Sequence, residues 1–315
     1  MKTRDLLSRG GPLLGLLFVC AVFAFLIGPQ FFRPVNLELI ARQTAIVCTA
    51  ALGMTMIIVA AGIDLSVGSI IALSTVVIAL LLKRDVSPLL SAFGGVAAAA
   101  ACGLANGILV TRLKVVPFIV TLGTMLIVRG AAKGLADERR IEAPATWLNG
   151  LLRTVEAGRG LPPGIWILAV LALLVAGVLR YTVFGRHLFA IGSNERTARL
   201  CGVRVERVKV AVYTISGALA GVAGVMQFAK LSVGDPTVAV GLELDVIAAV
   251  IIGGGSLTGG NGTVLGTVLG ATIMSVVAIG CSQHGLANWV QQIVTGTIIV
   301  LAVALDRWRQ GSRSV

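Results

Sequence analysis

The chain has 315 residues, of which 57% are hydrophobic and only 13% charged, about half the charged share of a soluble domain, so a water-soluble fold could not hide its apolar surface. A formal charge of +12 does not signal nucleic acid, because Lys and Arg sit between apolar runs with no recognition motif; topology and anionic headgroups account for them. The scattered cysteines (Cys20, Cys48, Cys102, Cys201, Cys281) read as small packing residues rather than disulfides or metal ligands, and no metal site is expected.

The apolar runs predict an all-α integral membrane protein, a polytopic bundle of about ten transmembrane helices, since a crossing helix needs about 20 mostly apolar residues. Continuous runs exclude a barrel, whose strands would alternate. The candidate spans fall near 11–28, 37–61, 66–82, 88–110, 117–134, 163–181, 206–229, 240–256, 262–283 and 285–305. All belong to one transmembrane domain over 1–315. The first span follows Lys2, Arg4 and Arg9 but ends in Gly28-Pro29-Gln30-Phe31-Phe32-Arg33, which offers no small-residue cleavage site, so it is expected to remain. The eighth is the weakest, because Gly253-Gly254-Gly255-Ser256-Leu257-Thr258-Gly259-Gly260 suits a broken or re-entrant stretch.

With both termini cytoplasmic, the inner segments hold fifteen Lys and Arg and the outer ones nine, which favours that orientation. Two loops stand out. The outer one, about 135–162, mixes charges with Trp147, Leu151 and Leu152 and is long enough for a lip or docking surface. The inner one, about 182–206, contains Gly192-Ser193-Asn194-Glu195-Arg196-Thr197-Ala198-Arg199-Leu200-Cys201-Gly202. There Ser193 or Asn194 can cap a helix start, Glu195 suits its positive end and Gly202 stops it, predicting a cytoplasmic helix of about two turns over 193–202. Such a helix is marginal alone in water and must pack on something, either as a surface connector or as a lever in a partner's groove. Gly217 and Gly221, then Gly262, Gly266 and Gly270, are spaced by four and put small residues on one helix face, suited to close packing.

Several segments resemble the permease subunits of ATP-binding-cassette importers for ribose, xylose, arabinose and related monosaccharides. They are Gly62-Ile63-Asp64-Leu65-Ser66-Val67-Gly68-Ser69, Ala105-Asn106-Gly107, 117–125, Gly185-Arg186, 192–202, 216–221, 243–254 and 256–260, in order over nearly the whole chain. The resemblance implies two permease subunits, alike or different, around a central path, an ATP-binding cassette subunit below each, and a periplasmic sugar-binding protein above. It implies that Ser193, Asn194, Glu195, Arg196, Ala198, Arg199, Leu200 and Gly202 form the coupling helix seated on the ATPase, in a multi-pass protein of the bacterial inner membrane.

No Gly-x-x-x-x-Gly-Lys-Ser/Thr loop occurs, so ATP and Mg are expected on the partner, with no cofactor and no catalytic residue in this chain. Asp64, Ser66, Asn106, Thr121, Thr124 and Ser256 are candidate pathway residues able to meet a sugar, although polar groups between membrane helices also bond one another. Asp64 is alternatively a cap for the next helix start. The rival readings are a branched-chain amino acid permease of the same broad fold and a secondary carrier, which would place titratable residues deep in its spans.

Overall fold

The computed structural model describes residues 3–153 and 160–311, with side chains from 10 to 304. Lys2, Glu156, Arg159 and Arg313 therefore lie outside the described residues, as do the side chains of Arg4, Arg9, Arg307 and Arg309. Helices dominate: α1 (Thr3–Ile27), α2 (Pro34–Val59), α3 (Val67–Lys83), α4 (Pro88–Leu113), α5 (Pro117–Leu135), α6 (Pro163–Tyr181), α7 (Val183–Ser193), α8 (Glu195–Leu200), α9 (Val205–Leu231), α10 (Leu242–Ile252), α11 (Val264–Gln283) and α12 (Asn288–Gly311). Apolar helices stand at each of the expected spans, and among the described residues seven are long and apolar enough to cross a bilayer by length and composition. Four of them, α2, α4, α5 and α6, begin with proline, whose missing N–H is harmless in a first turn and whose fixed φ suits it.

The bundle is built around α2, whose apolar window is 89% buried, whereas that of α1 is 11% buried at the edge. A helix apolar on every face belongs at the centre, and two of its three hydroxyls find partners there while Thr44 Oγ1 has none among the described residues. Thr49 and Thr55 donate back to Ala45 O and Ala51 O at 2.7 Å, and Thr55 also meets Thr267 of α11 at 2.7 Å. Four of the five packing glycines sit at close helix approaches, and Gly262 instead lies in the turn before α11. A Cβ on Gly217 would lie 2.5 Å from Ala99 O of α4, and one on Gly270 would lie 1.9 Å from Ala249 O of α10. Gly221 faces Val96 and Ala99, Gly262 faces Val59, and Gly266 faces Gly253 O.

The eighth span differs from its expected 240–256. α10 has eleven residues, about 16 Å of helix and roughly half the hydrocarbon thickness, and it is stopped by a glycine turn in which Gly254 takes a φ of +90°. The two ends of the bundle are unlike. At one, α8 lies beside the start of α9. At the other, β1 (Ile141–Glu142) pairs antiparallel with β2 (Val233–Gly234), Arg140 bridges Asp235 at 2.9 Å, and Asn149 donates to Ser232 Oγ at 2.8 Å. Leu148 and Leu152 are buried in this lip while Trp147 is exposed. Burial works against the Asp235 carboxylate, but bonds from Thr237 and the Arg140 guanidinium hold it below its ordinary range.

Candidate functional site

At the α8 end, the loop expected between two spans is instead two helices joined by Asn194. α7, which the sequence reading leaves as loop, starts at Thr182, whose hydroxyl accepts from Gly185 N at 3.1 Å. Ser193 closes α7 and does not cap the next helix. Asn194 does so, its Oδ1 accepting from Thr197 N at 3.0 Å. α8 is six residues rather than the whole of 193–202, and Gly202 follows it at a φ of +85°.

So short a helix is held from outside itself. Ala198 is buried on its inner face. Glu195 accepts from Lys209 Nζ of α9 at 2.7 Å and from Arg199 at 3.3 Å, and Arg199 also grips Glu206. Burial pushes the Glu195 carboxyl up, but Lys209 and Arg199 outweigh it and hold it below the usual carboxylate range. Glu206 is held low by its own backbone N–H in the first turn of α9 and by Arg199. Upstream, Gly192 is wedged into the bundle. A Cβ there would lie 1.8 Å from Val59 O and 2.5 Å from Gly260 N, the two atoms that bond each other at 2.9 Å. One contact thus joins the end of α2, the lead-in to α8 and the glycine turn between α10 and α11. Ser193, Asn194, Arg196, Arg199 and Leu200 face outward, and Leu200 is 88% exposed.

The candidate pathway residues are all buried, and they do not form one set. Asp64, Ser66 and Asn106 come together where α2 breaks before α3: Asp64 Oδ1 accepts from Ser66 N at 2.8 Å and Ser66 Oγ at 2.6 Å, and Asn106 Nδ2 donates to Ser66 Oγ at 2.8 Å. Asp64 therefore grips the residue before α3 instead of capping its first turn. It is an acid buried between helices, deeper than its place in the sequence suggests. Thr121 and Tyr213 border the cluster through Ile63 O, at 3.4 and 3.1 Å. Thr124 bonds only back along α5, to Thr121 O at 3.2 Å. Ser256 lies apart in the glycine turn, 2.9 Å from Thr258. Sequence reasoning missed Lys209 and Gly192; a lysine one helical turn into a span, fourteen residues beyond an acid, was the available signal for the first.

Among the described residues no group of three or more His, Cys, Asp or Glu side chains is placed to hold a metal ion.

Comparison with known proteins places this arrangement. A family model described as the permease component of a branched-chain amino acid transport system matches residues 36–303. The chain is similar to the ribose import permease protein RbsC of Escherichia coli K12, 37% identical over 98% of this chain and 96% of the relative. It is similar also to the RbsC of Bacillus subtilis strain 168, 39% identical over 96% and 93%, and to the fructose import permease protein FrcC of Rhizobium meliloti, 34% identical over 94% and 84%. No solved structure matches. With its helical bundle and a family match over most of its length, the chain belongs to the branched-chain amino acid transport system permease family of multi-pass membrane proteins.

Proposed function

We propose that the chain is the permease subunit of a monosaccharide importer driven by an ATP-binding cassette, working in the bacterial inner membrane with both termini in the cytosol. The observation that carries this reading is α8: capped by Asn194, ion-paired to α9, wedged through Gly192 against α2 and the 253–262 turn, and presenting Leu200 and Arg196 outward. A surface connector has no need of an apolar side chain aimed into water or of a rigid tie into three helices. A lever seated in an ATPase groove needs both.

In this reading ATP and Mg bind the partner subunit, and closure of two such subunits pushes α8 on each of two permeases. The bundle then repacks between outward and inward states, an interface-driven transition of ordinary kind. The lip of 140–152 and 232–235 meets the sugar-binding protein. The sugar names carried by the ribose and fructose relatives favour a monosaccharide over an amino acid.

Purification of the whole complex tests the proposal: binding-protein-dependent ATP hydrolysis is expected with monosaccharides and not with branched-chain amino acids, and the reverse pattern refutes the sugar assignment. Ser193→Cys in intact cells should resist thiol reagents confined to the periplasm. Labelling there reverses the orientation.

A further inference from the structure

Half-length helices pose a specific problem. One end of α10 lies within the bilayer, where backbone is tolerated only if buried in protein or facing a wet cavity. Its C-terminal end is on the α8 side, because the turn that follows bonds Val59 at the end of α2 through Gly260. The end inside the membrane is therefore its start, at Gly241. There the structure has a cavity of about 250 Å³ between α3, α5 and the 235–243 segment.

The wall of this cavity carries polar groups from four separate stretches of chain: Ser69 in the first turn of α3, Arg129 and Lys133 of α5, Thr237 before α10 and Glu243 within it, with Met125, Leu126 and Val240 as apolar surface. Among the described residues two of the polar atoms have no hydrogen-bond partner. Ser69 Oγ is fully buried and unbonded, and Glu243 Oε2 is buried and unbonded while Oε1 accepts from Gly241 N at 3.2 Å. Beside them α3 and the start of α10 pack closely: a Cβ on Gly68 would lie 2.3 Å from Ala239 O and 2.4 Å from Glu243 Oε2, so only glycine before Ser69 lets the 239–243 segment come this near. Arg129 is fixed by donating through Nη1 to Pro236 O and Val238 O at 2.9 and 2.7 Å. Unmet buried groups of this kind cost stability, and they are retained where a ligand completes them.

We propose that this cavity is the permease's own contact site for a polyhydroxylated solute, with Glu243 Oε2 accepting from one hydroxyl, Ser69 Oγ bonding another and Arg129 beside them. A hydroxyl is both donor and acceptor, so two hydroxyls of one solute satisfy an acceptor-only carboxylate and a serine together. A branched aliphatic side chain satisfies neither. The assignment places the solute at this cavity and not at the Asp64–Ser66–Asn106 cluster, where Asp64 Oδ2 and Asn106 Oδ1 are also buried and unbonded among the described residues.

This inference rests on the monosaccharide reading, so ATP-driven uptake by the unaltered complex in liposomes is measured first with ribose, arabinose and fructose; transport of branched-chain amino acids in place of all three removes that reading and the inference with it. With an imported sugar established, Ser69→Ala is expected to slow uptake roughly 3- to 10-fold and Glu243→Gln about tenfold or more, the ranges for losing a neutral and a charge-assisted hydrogen bond. Uptake at the unaltered rate in both variants overturns the site. A second measurement covers poor assembly of either. In Cys201→Ser, Val240→Cys complexes, a small thiol reagent should label more slowly with the imported sugar than with its non-imported stereoisomer. Equal labelling rates overturn the site independently.

Discussion

Gly192→Ala separates a mechanical tie from a passive connector. The new Cβ would stand 1.8 Å from Val59 O, whereas ordinary contact begins near 3.4 Å, so α7 and the end of α2 must part by 1.6 Å, or Gly260 must move. Because the new Cβ would also stand 2.5 Å from Gly260 N, relieving the overlap by moving either atom strains or breaks their 2.9 Å bond. Stranding one buried backbone pair costs about 1–3 kcal/mol, enough to change a coupled equilibrium roughly 5- to 150-fold. The assay is sugar uptake per ATP hydrolysed in the reconstituted complex, with permease abundance measured alongside. The expected result is a lower transport yield at unchanged abundance. Normal yield would falsify the claim that α8 acts through this contact.

Leu200→Glu removes an exposed apolar anchor from α8. It should weaken capture of the ATP-binding subunit by about tenfold or more, given about 1.5–3 kcal/mol for burying a leucine, while leaving the permease's melting midpoint unchanged; equal capture in pull-down counts against the docking face. Glu195 has a depressed carboxyl value in the folded protein, so its attachment of α8 is complete above its ordinary value of about 4.3 and is lost as pH falls through the lower folded value. Hydrogen exchange over 193–202 should therefore be flat from neutral pH down to that range and rise only below it, once corrected for intrinsic rates; a rise near neutrality contradicts the ion-pair account. Gly217→Val drives a branched side chain into Ala99 O at 2.5 Å and Gly103 Cα at 2.9 Å, so overpacking should cost about 1–3 kcal/mol and lower the midpoint in detergent. An unshifted midpoint would show that the α4–α9 crossing can relax at no cost.

Apolar runs foretold where helices stand because burial in lipid rewards composition directly, and prolines at residues 34, 88, 117 and 163 marked four of the starts. The half-length of α10 was harder to see: a window of hydropathy over 240–256 reads the same whether the chain crosses or turns back. Its glycines raised the break without fixing its position. α7 was hidden because Gly185, Arg186 and His187 interrupt its pattern, although eleven residues fold there against α6. In the pathway set, residue type was informative and partnership was not. Asp64 and Asn106 are forty-two positions apart and meet, directly at 3.5 Å and through Ser66 Oγ, whereas Ser256 has partners of its own. The cavity groups are more widely scattered, from Ser69 to Glu243, and nothing local in the chain announces that folding leaves two of them unmet.

The lip has a consequence for traffic across the whole molecule. Residues 140–149 are clamped to 232–235 by a strand pair, an ion pair and an amide–hydroxyl bond, and 235–241 runs directly from that clamp into α10. Under the proposed function, a protein landing on Trp147 would pull on the same short leash that ends at Glu243. In the proposed assembly, arrival at the surface would be felt in the interior through the seven residues of that turn.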